Sequence, residues 1–328
     1  MIDVAALAGV SYQTVSRVVN AHPAVAGETR QRVLRAIQEL GYHPNSAART
    51  LRTGRGSTVA VFASNTTLFG YAGMLEGVEE AARQAGLSVL ITVLKAIRAA
   101  DIEGIAREAL TQPLAGVVAL THDAVGAQAL GLVPDGVPAV GVGGTPAGPR
   151  PRALLDERAG AAEATSYLLG LGHRTVHHVR VPNEGGSGDR STGWREALRS
   201  AHRRVPAVIQ STWEARSGYD AGVALADRSG VTAVLCGNDE LAIGVVRGLF
   251  DRGLRVPEDV SVVGFDDQPF AEFMRPALTT VRQRFPDLGR TAVGLLLAQR
   301  EGRPEGMATS MAGTELVVRE STAPPPRR

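Results

Sequence analysis

A chain of 328 residues with 44% hydrophobic residues and a formal charge of only +2 has room for two or three domains and enough apolar content to fold. A single cysteine excludes an internal disulfide and fits a reducing, cytoplasmic setting. No apolar run reaches the ~20 residues of a membrane span, and no basic segment followed by an apolar core opens the chain, so neither a membrane nor a secreted protein is expected.

The charge is unevenly placed. Residues 1–55 hold seven arginines against Asp3, Glu28 and Glu39, a net +4 that leaves −2 on the rest. A basic head on a slightly acidic body fits a nucleic-acid module attached to a body with another task. The head begins IDVAALAGVSYQTVSRVVN, Ile2 to Asn20. Val4, Leu7, Ala8, Val15, Val18 and Val19 recur at spacings that place them on inward helical faces. Gly9 suits a turn that needs positive φ, and Ser11 can cap a second helix. Tyr12, Gln13 and Arg17 are left facing outward, the last two one turn apart. Gln and Arg are the side chains that bond bidentately to adenine and guanine edges in the major groove. The pattern predicts a helix-turn-helix that binds double-stranded DNA of defined sequence. Tyr12, Gln13 and Arg17 would read bases; Ser11, Thr14, Ser16 and Asn20 would contact phosphates. A helical hairpin that merely packs would not need the cap, the turn glycine and the polar outer face in register.

A third helix is expected over Thr29–Leu40, with Val33, Leu34, Ile37 and Leu40 on one face and Gly41 as its stop. Pro44 then breaks the pattern, and Asn45 can cap a short segment, Ser46 to Arg52. Two turns are too few for a stable isolated helix, so this segment is expected to fold only on DNA. The head therefore spans 1–44, and a hinge with its linker spans 45–57.

From Thr58 onward β-rich runs alternate with helical ones. Strands are expected at Thr58–Ala63, Ser88–Val93, Gly116–Leu120 and Ala139–Val142, with helices near Ala72–Ala85 and Ile102–Leu110. A second series follows, with strands near Ala153–Leu155, Thr175–Arg180, Ala207–Gln210, Thr232–Cys236 and Val260–Gly264. Its helices lie near Ala159–Leu171, Trp194–His202, Gly218–Ala226 and Glu240–Phe250. Such alternation means α/β architecture, here two lobes each built on a doubly wound parallel sheet. The body covers 58–320, with an N-lobe of about 58–154 and 284–312 and a C-lobe of about 158–281 and 315–320. Strand C-termini of the two lobes should face a shared cleft, where open α/β sheets bind ligands. Asn65, Asn238 and Asp266 fall at such strand ends. Residues 321–328, STAPPPRR, are expected to be a disordered tail.

The order of these parts resembles the lactose/galactose repressor (LacI/GalR) family of bacterial transcription regulators, along the whole chain. The segments that carry the resemblance are VAALAGVSYQTVSRVVN, TRQRVLRAIQELGYHPN and AARTL in the head, and LGHR (171–174), GNDELAIG (237–244), SVVGFDD (261–267) and PALTTV (276–281) in the body. The trio Tyr12, Gln13 and Arg17 is most similar to the lactose-repressor branch. The resemblance implies an α-helical headpiece on a periplasmic-binding-protein-like core, a homodimer, and an inverted-repeat operator with lac-like half-sites. It implies that Ala47, Ala48 and Leu51 of the hinge enter the minor groove, Leu51 as a wedge between base pairs. It further implies a repressor of sugar-utilisation genes controlled allosterically by a small sugar in the cleft, a galactoside being one candidate. Arg190, Trp213, Asn238, Asp266 and Gln283, with Asn65 beside them, would hold that effector. Three departures stand out. Gly143 occupies the place of a sugar-binding aspartate, Ala26 that of a helix-capping serine, and the Met1-Ile2-Asp3 start lacks the usual threonine lead. No leucine heptad follows Val318, so a dimer rather than a tetramer is expected.

Other chemistries find no support. Gly141-Val142-Gly143-Gly144 lacks the remainder of a dinucleotide fingerprint, and no phosphate loop or nucleophile elbow occurs. His173, His177 and His178 lack a metal-ligand spacing, and Cys236 reads as core. No enzyme activity, catalytic residue, metal or cofactor is expected. The competing readings are a periplasmic-type sugar-binding protein and a purine-responsive regulator on the same scaffold.

Overall fold

A computed structural model of the chain describes residues 1–19, 22, 24–42, 56–95, 99–144, 148–182, 190–304 and 308–327. They fall into two compact units, Met1–Arg55 and Gly56–Arg328. Asn20 and the hinge residues Ala47, Ala48 and Leu51 lie outside the described residues.

The first unit holds α1 (Ile2–Ala8), α2 (Tyr12–Val19) and α3 (Gly27–Glu39). Gly9 ends α1 in the left-handed region, at φ 63°. Ser11 caps α2 as expected, its Oγ accepting from the Thr14 N–H at 3.2 Å. Val4, Ala5, Ala8, Val15, Val18, Val33 and Ala36 form the small core. Leu7, Leu34 and Leu40, expected inward, are instead 47%, 51% and 46% exposed. Short helices around so small a core bury one narrow stripe each, and alanines at 5 and 36 occupy it. Ala26 precedes α3 without any side-chain cap bond, and so does Met1 before α1.

The second unit begins with β1 (Thr58–Ala63), α4 (Phe69–Gln84), β2 (Ser88–Val93), α5 (Ala99–Leu110), β3 (Leu114–Leu120), α6 (Ala124–Gly131), β4 (Ala139–Val142) and β5 (Arg152–Leu155). The chain then enters the second lobe through α7 (Glu157–Gly170), β6 (His177–Arg180), α8 (Arg190–Ser200), β7 (Ile209–Gln210), α9 (Ala215–Ala226), β8 (Ala233–Cys236), α10 (Asp239–Asp251), β9 (Ser261–Asp266) and β10 (Thr279–Arg282). It returns to the first lobe with α11 (Phe285–Arg300) and β11 (Ser310–Ala312), and crosses once more to β12 (Glu315–Val317). The sheet orders are β11-β5-β4-β3-β1-β2 and β12-β10-β9-β8-β6-β7. Pairing is parallel throughout except at β12, which runs antiparallel to β10.

Central strands such as β1 and β3 are buried almost end to end because helices cover both faces. Each lobe accordingly has two apolar clusters, one on either side of its sheet. Edge strand β2 shows the opposite pattern, with Ile91 and Val93 exposed. Helices α9 and α10 touch backbone to backbone: a Cβ at Gly218 would lie 2.3 Å from the Leu241 carbonyl oxygen.

The expected disordered tail is a correction. Residues 321–323 are bonded into the second lobe, where Ser321 is fully buried. Its Oγ accepts from the Thr279 N–H at 2.8 Å and donates to the Val262 carbonyl at 2.6 Å. Ala323 N–H donates to Ser261 Oγ, and its carbonyl oxygen lies 3.0 Å from His173 Nε2. The tail follows β12 beside β10, so its polar groups complete hydrogen bonds that the sheet edge would otherwise leave unmade. His173 of the LGHR segment is tied into the same network, 3.0 Å from Thr232 Oγ1.

Candidate functional site

In the first unit α2 presents Tyr12, Gln13 and Arg17 on its exposed side while Val15 and Val18 anchor the opposite side. Ser11 is also exposed, and Thr14 and Ser16 are half-buried. Ser11 and Thr14 hydroxyls are 3.0 Å apart, so both stand at the helix start where backbone N–H groups are open to an anion.

In the second unit the strand ends converge on one cleft between the lobes. His122 follows β3, Gly143 and Gly144 follow β4, and Leu155 ends β5. Glu157 opens α7, Arg180 ends β6, Arg190 and Ser191 open α8, Asn238 follows β8 and Asp266 ends β9. Leu68, Phe69, Met74, Phe285 and Trp213 supply apolar wall. This is the position that open α/β sheets reserve for ligands.

Arg190 is the electrostatic centre. Its guanidinium donates to Glu157 Oε1 at 2.9 Å, to Asp266 Oδ1 at 3.4 Å and to the Gly237 carbonyl, and it lies 4.2 Å from the Phe265 ring centroid. Burial works against its charge, but Glu157 and Asp266 hold its pKa above the ordinary value. Burial likewise disfavours the Glu157 carboxylate, and the charge and hydrogen bond of Arg190 offset this, keeping its pKa below the usual range. For Asp266 burial wins: its pKa is raised to about 7 despite Arg190 and a 2.6 Å bond from Gln283 Nε2. Asp266 also sits at φ 107°, a conformation that side chains rarely adopt and that the surrounding bonds must hold.

The expected effector residues divide. Arg190, Trp213, Asn238 and Asp266 all line the cleft. Asn238 is partly committed, since its Oδ1 caps α10 by accepting from the Leu241 N–H at 2.8 Å and its Nδ2 donates to the Trp213 carbonyl. Gln283 is buried behind the cleft and orients Asp266. Asn65 does not line it. Its Oδ1 accepts from Thr67 N–H, Thr67 Oγ1 and Leu68 N–H, a local turn that starts α4. Asparagine at a strand end serves turns as readily as ligands, and position alone did not separate the two.

His122 carried no sequence signal and proves central. A Cβ on Gly143 would lie 2.0 Å from the His122 ring, so the imidazole fills the space that a side chain at 143 would need. Gly143 adopts φ 73°, and its carbonyl accepts from Thr121 Oγ1 at 2.6 Å and from Arg152 at 3.3 Å. Burial is the main cause of the lowered His122 pKa, so the ring is neutral at pH 7. Asp239, behind the cleft, accepts from Thr280 Oγ1 at 2.6 Å and Gln268 N–H at 2.7 Å, and burial raises its pKa well above normal.

Several buried polar atoms have no protein partner among the described residues, and four of them belong to cleft residues: His122 Nδ1, Arg180 Nε, Arg190 Nε and Glu240 Oε2. Gln283 Oε1, beside Asp266, is a fifth. Unpaired buried polar groups are costly, and each of these atoms belongs to a residue in or just behind the cleft. Among the described residues no cluster of His, Cys, Asp and Glu could hold a metal. No helix there is long and apolar enough to cross a membrane.

A helix-turn-helix unit followed by a two-lobed body with a ligand cleft defines an effector-gated DNA-binding regulator. Residues 1–45 match the family of bacterial regulatory proteins called lacI, and residues 165–322 match the periplasmic binding protein-like domain. The transcriptional regulator CelR of Thermobifida fusca is 38% identical, covering 97% of this chain and 96% of its own. A lac repressor dimer bound to operator and the anti-inducer ONPF superimposes with TM-score 0.84 at 29% identity, over 98% of both chains. A CelR–cellobiose complex gives TM-score 0.72 at 35% identity, over 97% of this chain and 98% of the other. The chain belongs to the LacI family and is a transcriptional regulator.

Proposed function

We propose that this regulator is a cytoplasmic repressor whose homodimer grips an inverted-repeat operator and whose cleft binds a neutral sugar. Tyr12, Gln13 and Arg17 are the proposed base readers, and Ser11, Thr14 and Ser16, with Asn20, the phosphate contacts. The hinge residues Ala47, Ala48 and Leu51 keep their proposed minor-groove role from the family resemblance alone. In the cleft, Arg190, Asp266, Asn238, Trp213 and His122 are the proposed effector contacts, and Gln283 is a positioning residue behind Asp266.

The observation that carries the sugar reading is the mixed lining of the cleft, where the polar side chains of His122, Arg180, Arg190, Asn238 and Glu240 stand beside the apolar wall of Leu68, Phe69, Met74, Trp213 and Phe285. A pyranose has hydroxyls for the first and C–H faces for the second. Neutrality follows from Arg190, which is already paired with the Glu157 carboxylate, so an anionic effector would have to displace it. Cellobiose, which the CelR complex contains, is the first sugar to test. Fluorescence anisotropy with a labelled palindromic duplex, with and without cellobiose, lactose, galactose and glucose, tests both halves. Sequence-specific binding modulated by one sugar supports the proposal; equal affinity for scrambled duplexes refutes the DNA half, and indifference to every sugar and to Arg190→Ala refutes the other.

A further inference from the structure

His178 and Ser191 both line the cleft. Both are buried, at 0% and 3% exposure. His178 Nδ1 lies 3.0 Å from the Leu235 carbonyl oxygen, and His178 Nε2 lies 3.1 Å from Ser191 Oγ. A carbonyl oxygen can only accept, so Nδ1 must carry the proton. Burial, stronger than the opposing Leu235 bond, pushes the His178 pKa down to about 4, so the ring is neutral at working pH and Nε2 is bare. Bare Nε2 can only accept, and the Ser191 hydroxyl must therefore donate to it. The ring is further fixed by Trp194, whose centroid lies 5.3 Å away and whose Nε1 is anchored on the Val176 carbonyl at 2.9 Å.

We infer that Ser191, locked as a donor toward His178, presents only oxygen lone pairs to the cleft and forms a subsite that selects effectors bringing a hydroxyl or N–H donor to that point. The inference rests on the cleft being the effector site and adds a rule for which effector fits. An ether oxygen, a fluorine or a carbonyl at that position would meet lone pair with lone pair. A serine free to rotate would accept either kind of group, whereas the chain from Leu235 through His178 to Ser191 removes that freedom.

The test uses the full-length protein and calorimetry with glucose, galactose, lactose and cellobiose, followed by the monodeoxy and deoxyfluoro derivatives of the tightest binder. One hydroxyl position should show about a 10-fold loss for both derivatives in the wild type, the size expected of a single good hydrogen bond. Fluorine accepts but does not donate, so it should rescue nothing there. In Ser191→Ala the same two derivatives should lose less than about 2-fold. In His178→Leu, where Ser191 is free to turn its proton into the cleft, the fluoro derivative should recover relative to the deoxy one. The subsite is refuted if every fluoro derivative binds the wild type like its parent, a result that needs no variant to fold. It is also refuted if the deoxy scan is the same with Ser191→Ala. If none of the four sugars binds the wild type, the cleft reading falls and this inference falls with it.

Discussion

Replacing Asp266 by asparagine should make the free protein more stable while weakening its effector. Asp266 is 8% exposed and accepts from Gln283 and Arg190, yet burial outweighs these partners and lifts its pKa to about 7 from the ordinary 3.8. A folded value above the unfolded one means that the fold prefers the protonated acid. Stability from this group is then complete below pH 3.8, is lost as pH rises to about 7, and changes no further above that. At about 1.4 kcal/mol per pH unit, the interval amounts to about 4 kcal/mol. Asparagine keeps the shape and one acceptor and cannot ionise, so the variant escapes this loss. Urea unfolding followed by tryptophan fluorescence reads it directly, because Trp194 and Trp213, the only two tryptophans, both pack in the lobe that contains Asp266. The stability gap in favour of the variant should widen from about 2 kcal/mol at pH 5 to about 4 kcal/mol at pH 8. Groups that titrate identically in both proteins cancel in that difference. Parallel pH curves, or a wild type that gains on the variant above pH 6, would refute the reasoning.

Three further outcomes are expected. Arg17→Ala should cost about 1–3 kcal/mol of operator affinity and relax preference at one base position, read by selection from a randomised duplex pool; an unchanged consensus would remove Arg17 from base reading. Gly143→Asp should abolish the sugar response and lower stability by about 1–3 kcal/mol through overpacking against His122. Part of that loss should return in the His122→Ala background, the remainder being the strain of a side chain at φ 73°, and a thermal melt of both variants checks the pair. Ser321→Ala should cost about 1–3 kcal/mol in urea unfolding, because it strands the buried Thr279 N–H and Val262 carbonyl; no change would mean the tail contributes nothing.

The architecture was legible because its signals are local. β1, β2 and β4 fall at their expected residues, since an apolar run bounded by turn residues reports a buried strand without reference to the rest of the chain. Helix α11 was not anticipated as an element. It is buried along much of its length, with Phe285, Leu288, Ala292, Val293 and Leu296 in the core, and a helix apolar on several sides loses the periodicity that marks one. Helix α6 was missed for a similar reason, being short, glycine-containing and apolar except for Gln128. The tail was misread because serine, threonine and proline look like a free end. What orders it is the set of open hydrogen bonds beside β10, more than forty positions earlier in the chain.

Within the site, the sequence located the polar residues at strand ends but not their partners, and partners decide role. Asn65 and Asn238 each lie two residues past a strand and each starts a helix, yet only Asn238 also lines the cleft. His122 was invisible because its meaning lies in a contact with Gly143, a residue that registered only as a missing aspartate. The lining of the cleft then shows how binding can be coupled to shape. His122 belongs to the first lobe, while Arg180, Arg190 and Glu240 belong to the second. A ligand that touches residues of both lobes at once is bound best in the one arrangement that brings them together. That difference in affinity between arrangements is the quantity any allosteric effector must supply. A ligand contacting only one lobe would bind every arrangement equally and shift nothing, however tightly it held.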